Sequence, residues 1–307
     1  MNRSAFDPGV NETSGDLIDL VESLNVPLQR LSEIAATANE RYDVYPLVIG
    51  KKKRWIEAPR DKLKQLQRRL LDSVFYRLVP HESAHGFVRG RSIVSNARRH
   101  CGRRWVVTMD IRDFFPSIGA ERVNRQLLSL PMTDAEREIV VKLVTRNARL
   151  PQGAPTSPHL ANLVSRRLDI RLRRLADEAG WTYTRYADDL AFSGEGRPKQ
   201  LIRIVEQIIQ DEGFQPARQK TRVMSRHQRQ IVTGLIVNEK VALPRPKRRL
   251  LRAMLHRLRS TNEPLSSLPD IRVIHGHLAL ATFIDPDGYR ETCNQVAQLI
   301  EGRCSFV

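Results

Sequence analysis

The sequence predicts an α+β protein, on three patterns. There are near-continuous apolar and β-branched runs of strand length, two short strand-like arms closing on an acidic tetrapeptide, and long amphipathic stretches at helical spacing. With 307 residues and 41% hydrophobic content, the chain can bury one large core or two to three coupled subdomains.

The elements follow in order. After a polar start over residues 1–15, Leu17, Ile18, Leu20, Val21 and Leu24 recur at helical spacing, and Pro27 opens a second short helix through Ile34. Residues 1–40 therefore read as a helical extension. From Tyr45 the pattern turns extended around Leu47, Val48 and Ile49 and again at Trp55 and Ile56. The basic run Lys51, Lys52, Lys53, Arg54 interrupts it, and a helix follows near 63–78. The stretch Trp105, Val106, Val107, Thr108, Met109 is a buried strand that stops at Asp110, and Phe114, Phe115 and Pro116 then break the chain direction. Helix is expected over about 121–147. A rigid loop over 151–158 leads into one long helix, whose Leu160, Leu163, Val164, Leu168, Leu172 and Leu175 form a stripe up to Gly180. Residues 181–185 and 190–193 form the two arms around Tyr186, Ala187, Asp188 and Asp189, a hairpin with two acids at its tip. A helix over 200–209, a strand over 231–237 and a basic amphipathic helix over 244–260 complete the reading.

The 51 lysines and arginines exceed the 34 acids by a formal charge of +17, a balance that points to a polyanionic partner. Cys101, Cys293 and Cys304 are widely spaced and lack a C-x-x-C pair, which argues against a disulfide framework or a zinc site and for a reducing cytosol. His275 and His277 have no third ligand at useful spacing. No window approaches the ~18 consecutive apolar residues of a membrane span, and the start does not resemble a signal peptide, so a cytoplasmic protein without a membrane partner is expected.

Asp110 at one strand end and Asp188-Asp189 at a hairpin tip converge if their strands are neighbours. Such a carboxylate cluster suits two magnesium ions about 3.5–4 Å apart, the arrangement that serves nucleotidyl transfer. A lone aspartate is more often a cap or a surface charge; an adjacent pair flanked by strands, with a third acid ending another strand, is far more specific.

At these residues the sequence resembles reverse transcriptases. Tyr-Ala-Asp-Asp at 186–189 matches their most diagnostic signature, Asp-Ile-Arg-Asp-Phe-Phe at 110–115 looks like their first catalytic strand, and Gln-Gly-Ala-Pro-Thr-Ser-Pro at 152–158 resembles the loop that packs on the incoming nucleotide. Asn-Ala-Arg-Arg-His at 96–100 and Val-Thr-Gly at 232–234 look like elements of bacterial retron enzymes.

The resemblance implies a right-hand polymerase with an antiparallel palm sheet. Fingers would span 41–104, the palm 105–240 with an interleaved fingers segment at about 119–155, and a helical thumb 241–307. It implies Asp110, Asp188, Asp189 and Lys220 as catalytic residues and Asp110, Ile111, Asp188 and Asp189 at the metals. Lys53, Arg54, Phe115, Gln152, Gly153 and Tyr186 would bind the nucleotide, with Phe115 as the ring that excludes a 2′-hydroxyl. Asn96, His100, Val232, Thr233 and Gly234 would meet RNA; the basic amphipathic helix independently suggests that Arg248 and Arg252 follow a duplex through its phosphates. Many relatives have asparagine where Ala217 stands, and Asp113 reads as a turn stabiliser. The implied partners are a cognate structured retron RNA, primed from an internal guanosine 2′-hydroxyl, its branched RNA–DNA product (msDNA), dNTPs, a ribonuclease H from the host and an effector protein encoded nearby in phage defence. The alternatives are a reverse transcriptase of another bacterial lineage and a scaffold that holds RNA–DNA for an effector.

Overall fold

The computed structural model describes residues 20–50, 52–260 and 271–304. The expected first helix begins at residue 16; positions 16–19 lie outside the described residues, and the described part is α1 (Leu20–Leu24). Pro27 caps α2 (Leu28–Ala36), as its fixed φ suits a helix start. Strands β1 (Tyr42–Ile49) and β2 (Lys52–Pro59) form an antiparallel hairpin, so Lys53 and Arg54 lie within a strand and do not interrupt one. Next come α3 (Asp61–Ser73), ending before a short turn of 3₁₀ helix, and α4 (Ile93–Arg98).

The molecule is organised on a four-stranded antiparallel sheet. Its strands are β3 (Trp105–Asp110), β4 (Trp181–Tyr186), β5 (Asp189–Gly194) and β6 (Arg222–Ser225), in the order β4-β5-β3-β6. The continuous apolar run in β3 has a direct cause: both faces of the sheet are covered. Val107, Met109, Tyr183 and Phe192 enter one core cluster and Val106 and Ala191 the other, as the period-two alternation of a strand requires.

The first cover contains α5 (Ala120–Leu127), α6 (Asp134–Val144), α7 (Ser157–Val164), α8 (Arg166–Glu178) and α9 (Pro198–Asp211). Two expected long helices are each divided. Pro131 and a Thr133–Glu136 capping box separate α5 from α6, and a single residue, Ser165, separates α7 from α8. The expected strand over 231–237 is instead a small hairpin, β7 (Ile231–Val232) and β8 (Leu235–Ile236). Its turn residues Thr233 and Gly234 both have positive φ, the pattern of a type I′ turn. With α10 (Arg245–Ser260), α11 (Ile271–Ile284) and α12 (Pro286–Cys304), this hairpin builds the second cluster. Cys101 and Cys293 are free thiols. No helix among the described residues is long and apolar enough to cross a membrane.

Candidate active site

The sheet register brings the acids together. Asp110, last in β3, pairs directly with Asp189, first in β5, and the Ile111 amide donates to the Asp188 carbonyl at 3.0 Å. Ala187 has φ +57, an unfavourable conformation for a residue with a Cβ that normally costs about 1–3 kcal/mol. It is held from below. Arg185, fully buried, donates to the Ala187 carbonyl (3.1 Å), to Asn162 Oδ1 (2.9 Å) and through two nitrogens to Asp169 (2.8 and 2.6 Å). Asp169 also accepts from the Tyr183 hydroxyl at 2.8 Å. Asn162 in turn donates to the Gly86 carbonyl (2.8 Å), and a Cβ at Gly86 would stand 2.6 Å from the Ala187 nitrogen. Only glycine allows the 83–87 segment to pass so close to the acidic turn. That segment also exchanges backbone bonds with Arg185 on the sheet edge.

Electrostatics follow from crowding. Burial, and then the charges of Asp188 and Asp110, push the Asp189 carboxyl up to about 6. Burial and Asp110 likewise raise Asp188. Lys220 Nζ donates to Asp110 Oδ1 at 2.6 Å, and the Ala217 amide donates to the Asp110 carbonyl at 2.7 Å, so the backbone at Ala217 ties this lysine segment to the acid. Among the described residues no three acid, histidine or cysteine side chains converge at metal-ligand distance, and one oxygen of Asp110 is engaged by the Lys220 ammonium. The donor set itself is that of a hard cation. Crowding that raises Asp188 and Asp189 calls for positive charge, and oxygen ligands suit magnesium. The residues fit that ion once Lys220 releases Asp110.

Two hollows flank the acids. The first, about 500 Å³, is lined by Lys53, Arg54, Phe115, Gln152, Asp188 and Lys220, together with Asp113 and the Glu57–Arg146 ion pair. Lys53 lies over the Trp55 ring at 4.7 Å. Phe115 is half-buried, 6.4 Å from Phe87, which in turn is 6.3 Å from Tyr186. Gly153 does not line this hollow. Its φ of +136 and the approach of Glu57 (a Cβ would meet the carbonyl oxygen at 3.0 Å) dock the loop on β2, a fit that a side chain would disturb. Asp113 has φ +45, and its carbonyl accepts from the Ser117 amide.

The second hollow, about 360 Å³, lies against Asp110, Asp189, Tyr186 and Lys220 and gathers Asn96, Val232, Thr233 and Gly234. His100 stands apart from the residues expected to meet RNA. It is fully buried between Ser193 Oγ (2.8 Å) and Thr184 Oγ1 (2.7 Å), and burial pushes its pKa down to about 3. With both ring nitrogens occupied by hydroxyls of β5 and β4 it has no surface for RNA and braces the acidic hairpin instead. Arg248 and Arg252 are exposed on α10 and line neither hollow.

Sequence reasoning missed Arg185, Asp169, Asn162 and Gly86. One signal was present: Asp169 interrupts an apolar helical stripe and Arg185 sits in an otherwise buried strand, two opposite charges at core positions.

A family model described as reverse transcriptase (RNA-dependent DNA polymerase) matches residues 49–269. The chain is 43% identical over 223 residues to the retron Mx65 reverse transcriptase of Myxococcus xanthus, covering 66% of this chain and 52% of that one. It is 39% identical over 283 residues to the retron Mx162 reverse transcriptase of the same organism, covering 80% and 58%. Identity to the retron Ec86 reverse transcriptase of Escherichia coli is 30% over 291 residues, covering 92% and 89%. The chain thus spans between half and three-fifths of the length of the two Myxococcus relatives and most of the Escherichia one.

Proposed function

The chain belongs to the retron reverse transcriptase family, and from that membership we propose that it is an RNA-directed DNA polymerase acting at Asp110, Asp188 and Asp189. The observation that carries the reading is the pairing of Asp110 with Asp189 across one rung of the sheet, with Asp188 beside them at the mouth of a basic cleft. Two magnesium ions held by these carboxylates and the backbone at Ile111 would neutralise the triphosphate and activate the attacking hydroxyl.

The side chains divide the remaining work. Lys53 and Arg54 meet the phosphates of the incoming dNTP, and Gln152 holds the nucleotide against the loop docked on β2. Phe115 fills the space a 2′-hydroxyl would need. Lys220 Nζ, once released from Asp110, delivers a proton to the departing pyrophosphate. Tyr186, in the acidic turn, contributes to the nucleotide site, and Asn96, Val232, Thr233 and Gly234, in the hollow on the other side of the acids, meet the RNA. His100 acts through the sheet it braces.

In this reading the four-stranded sheet is the palm of a right hand (105–240). Residues 41–104 and about 119–155 are fingers, 241–307 a thumb and 1–40 a helical extension. The substrate is a cognate structured retron RNA in the cytoplasm, primed from an internal guanosine 2′-hydroxyl. The branched RNA–DNA stays bound, its template is trimmed by a host ribonuclease H, and an effector encoded nearby couples it to phage defence. The test is to purify the protein with its native genomic neighbourhood and examine the bound nucleic acid for DNA branched from RNA. Branched DNA in the wild type and none with Asp188→Asn is expected; linear DNA despite activity on a primed template would assign the chain to another mode of priming.

A further inference from the structure

We propose that the end of the central sheet remote from the acids is a docking surface for the phosphate backbone of duplex RNA, built from Arg98, Arg99, Arg103, Arg104, Arg226 and Arg229. The identity of the polyanion rests on the proposed RNA partnership; the surface itself rests on geometry.

Trp105 begins β3 and pairs with Ser225, the last residue of β6, so the segments 98–104 and 226–229 leave the sheet at the same end. Asp110 closes β3 five residues away, roughly 17 Å along the strand. Both segments are pinned through their backbones by polar side chains. Gln230, fully buried, donates to the carbonyls of Arg103 (3.0 Å), Arg104 (3.2 Å) and Met224 (3.3 Å). Asn238 donates to the carbonyls of Arg226 (3.2 Å) and Gln228 (2.8 Å) and accepts from the Gln230 amide (2.9 Å). The Gly102 amide adds a bond to the Val237 carbonyl at 3.1 Å. One buried amide, Gln230, and one half-buried amide, Asn238, thus hold two arginine-bearing segments together.

All six arginines are exposed, and none of them is in an ion pair among the described residues, whereas Arg30, Arg60, Arg89, Arg125, Arg171 and Arg174 all have carboxylate partners. A nearby acid, Glu195, accepts instead from the Arg104 main-chain amide at 3.1 Å. Fixed backbones carrying unneutralised guanidinium groups repel one another unless an anion lies against them, and guanidinium forks match phosphate oxygens without reading sequence. The two segments leave the sheet side by side, so their arginines present several positive charges at one sheet end to a polyanion. A helical stem of the bound RNA would rest here, outside the template cleft.

The test uses the full chain, an RNA duplex of about 20 base pairs with no extendable overhang, and a separate short primed RNA template. The wild type should bind the duplex with a steep salt dependence. Replacing Arg103, Arg104 and Arg226 together by Gln should flatten the log–log salt slope by about two to three and weaken duplex binding at least about tenfold. Extension at saturating primed template should stay within about twofold, and the corresponding triple Lys variant should keep the slope. If the Gln triple lowers the melting temperature, the single variants Arg104→Gln and Arg226→Gln should each remove about one unit of slope. An unchanged slope, a slope lost equally in the Lys triple, or extension falling in step with binding would overturn the surface. So would tight capture of an acidic protein with no duplex binding. A wild type that binds the duplex but does not extend the primed template would refute the polymerase reading and leave this surface standing.

Discussion

Asp189 faces Asp110 across the sheet, and its carboxyl, pushed up to about 6, binds a proton more tightly in the folded chain than in the unfolded one. Stability is therefore lost as pH rises from about 4 to about 6 and stays lost above that, the reverse of a salt-bridged acid. Asp189→Asn should raise the melting temperature by a few degrees at pH 7.5 in metal-free buffer and leave it unchanged at pH 4, measured by calorimetry; the side chain reaches solvent, so screening keeps the gain small. Equal gains at both pH values would show that crowding is not the cause. Phe115 belongs to the same scale. Phe115→Val should increase ribonucleotide incorporation relative to deoxynucleotide by about 10- to 100-fold in single-nucleotide extension, and an unchanged ratio would remove its role as gate. The acids and Phe115 could be singled out because they stand in short contiguous motifs, and the register adds that Asp110 meets Asp189. His100 was legible as special but misread as an RNA contact, because only the sheet register shows that it ends between two hydroxyls.

The hairpin bearing Asp188 is gripped on both faces, by His100 through Thr184 and Ser193 and by Arg185 with Asp169 and Asn162. A buried charge without its partner costs about 3–5 kcal/mol, so Asp169→Leu should lower the melting temperature by about 10 °C. The double variant Asp169→Leu with Arg185→Met should recover most of that loss. Its extension rate should stay low, because the Ala187 carbonyl no longer has its donor. A double variant with wild-type rate would show that the clamp serves stability alone. Element types read well from periodicity, and their divisions did not. Pro131 and Ser165 split helices whose apolar stripes run on past the break, since a stripe reports which face is buried and not whether the axis is continuous. The split of 231–237 into two strands needed the positive φ at Thr233, which a β-branched residue does not advertise.

Across the whole molecule the formal charge of +17 is spread over several surfaces: the cleft at Lys53 and Arg54, the exposed face of α10 and the far end of the sheet. Composition pointed to a polyanion, and Lys53, Arg54, Arg248 and Arg252 could be proposed from sequence alone; the cluster at the far end of the sheet became visible only with the fold, because its arginines are distant in sequence and share one sheet end. Replacing Arg248 and Arg252 by Gln should weaken binding of a primed template several-fold without sequence preference and reduce its salt slope by about two. An unchanged slope would leave α10 as a solvated face. Extension of a DNA primer on an RNA template with magnesium and dNTPs tests the role of the carboxylate cluster most directly. Wild-type protein should extend the primer, and Asp188→Asn, folded to the same melting temperature or higher, should be slower by ~10²–10³-fold or more; normal extension by that variant would contradict the assignment of the active site.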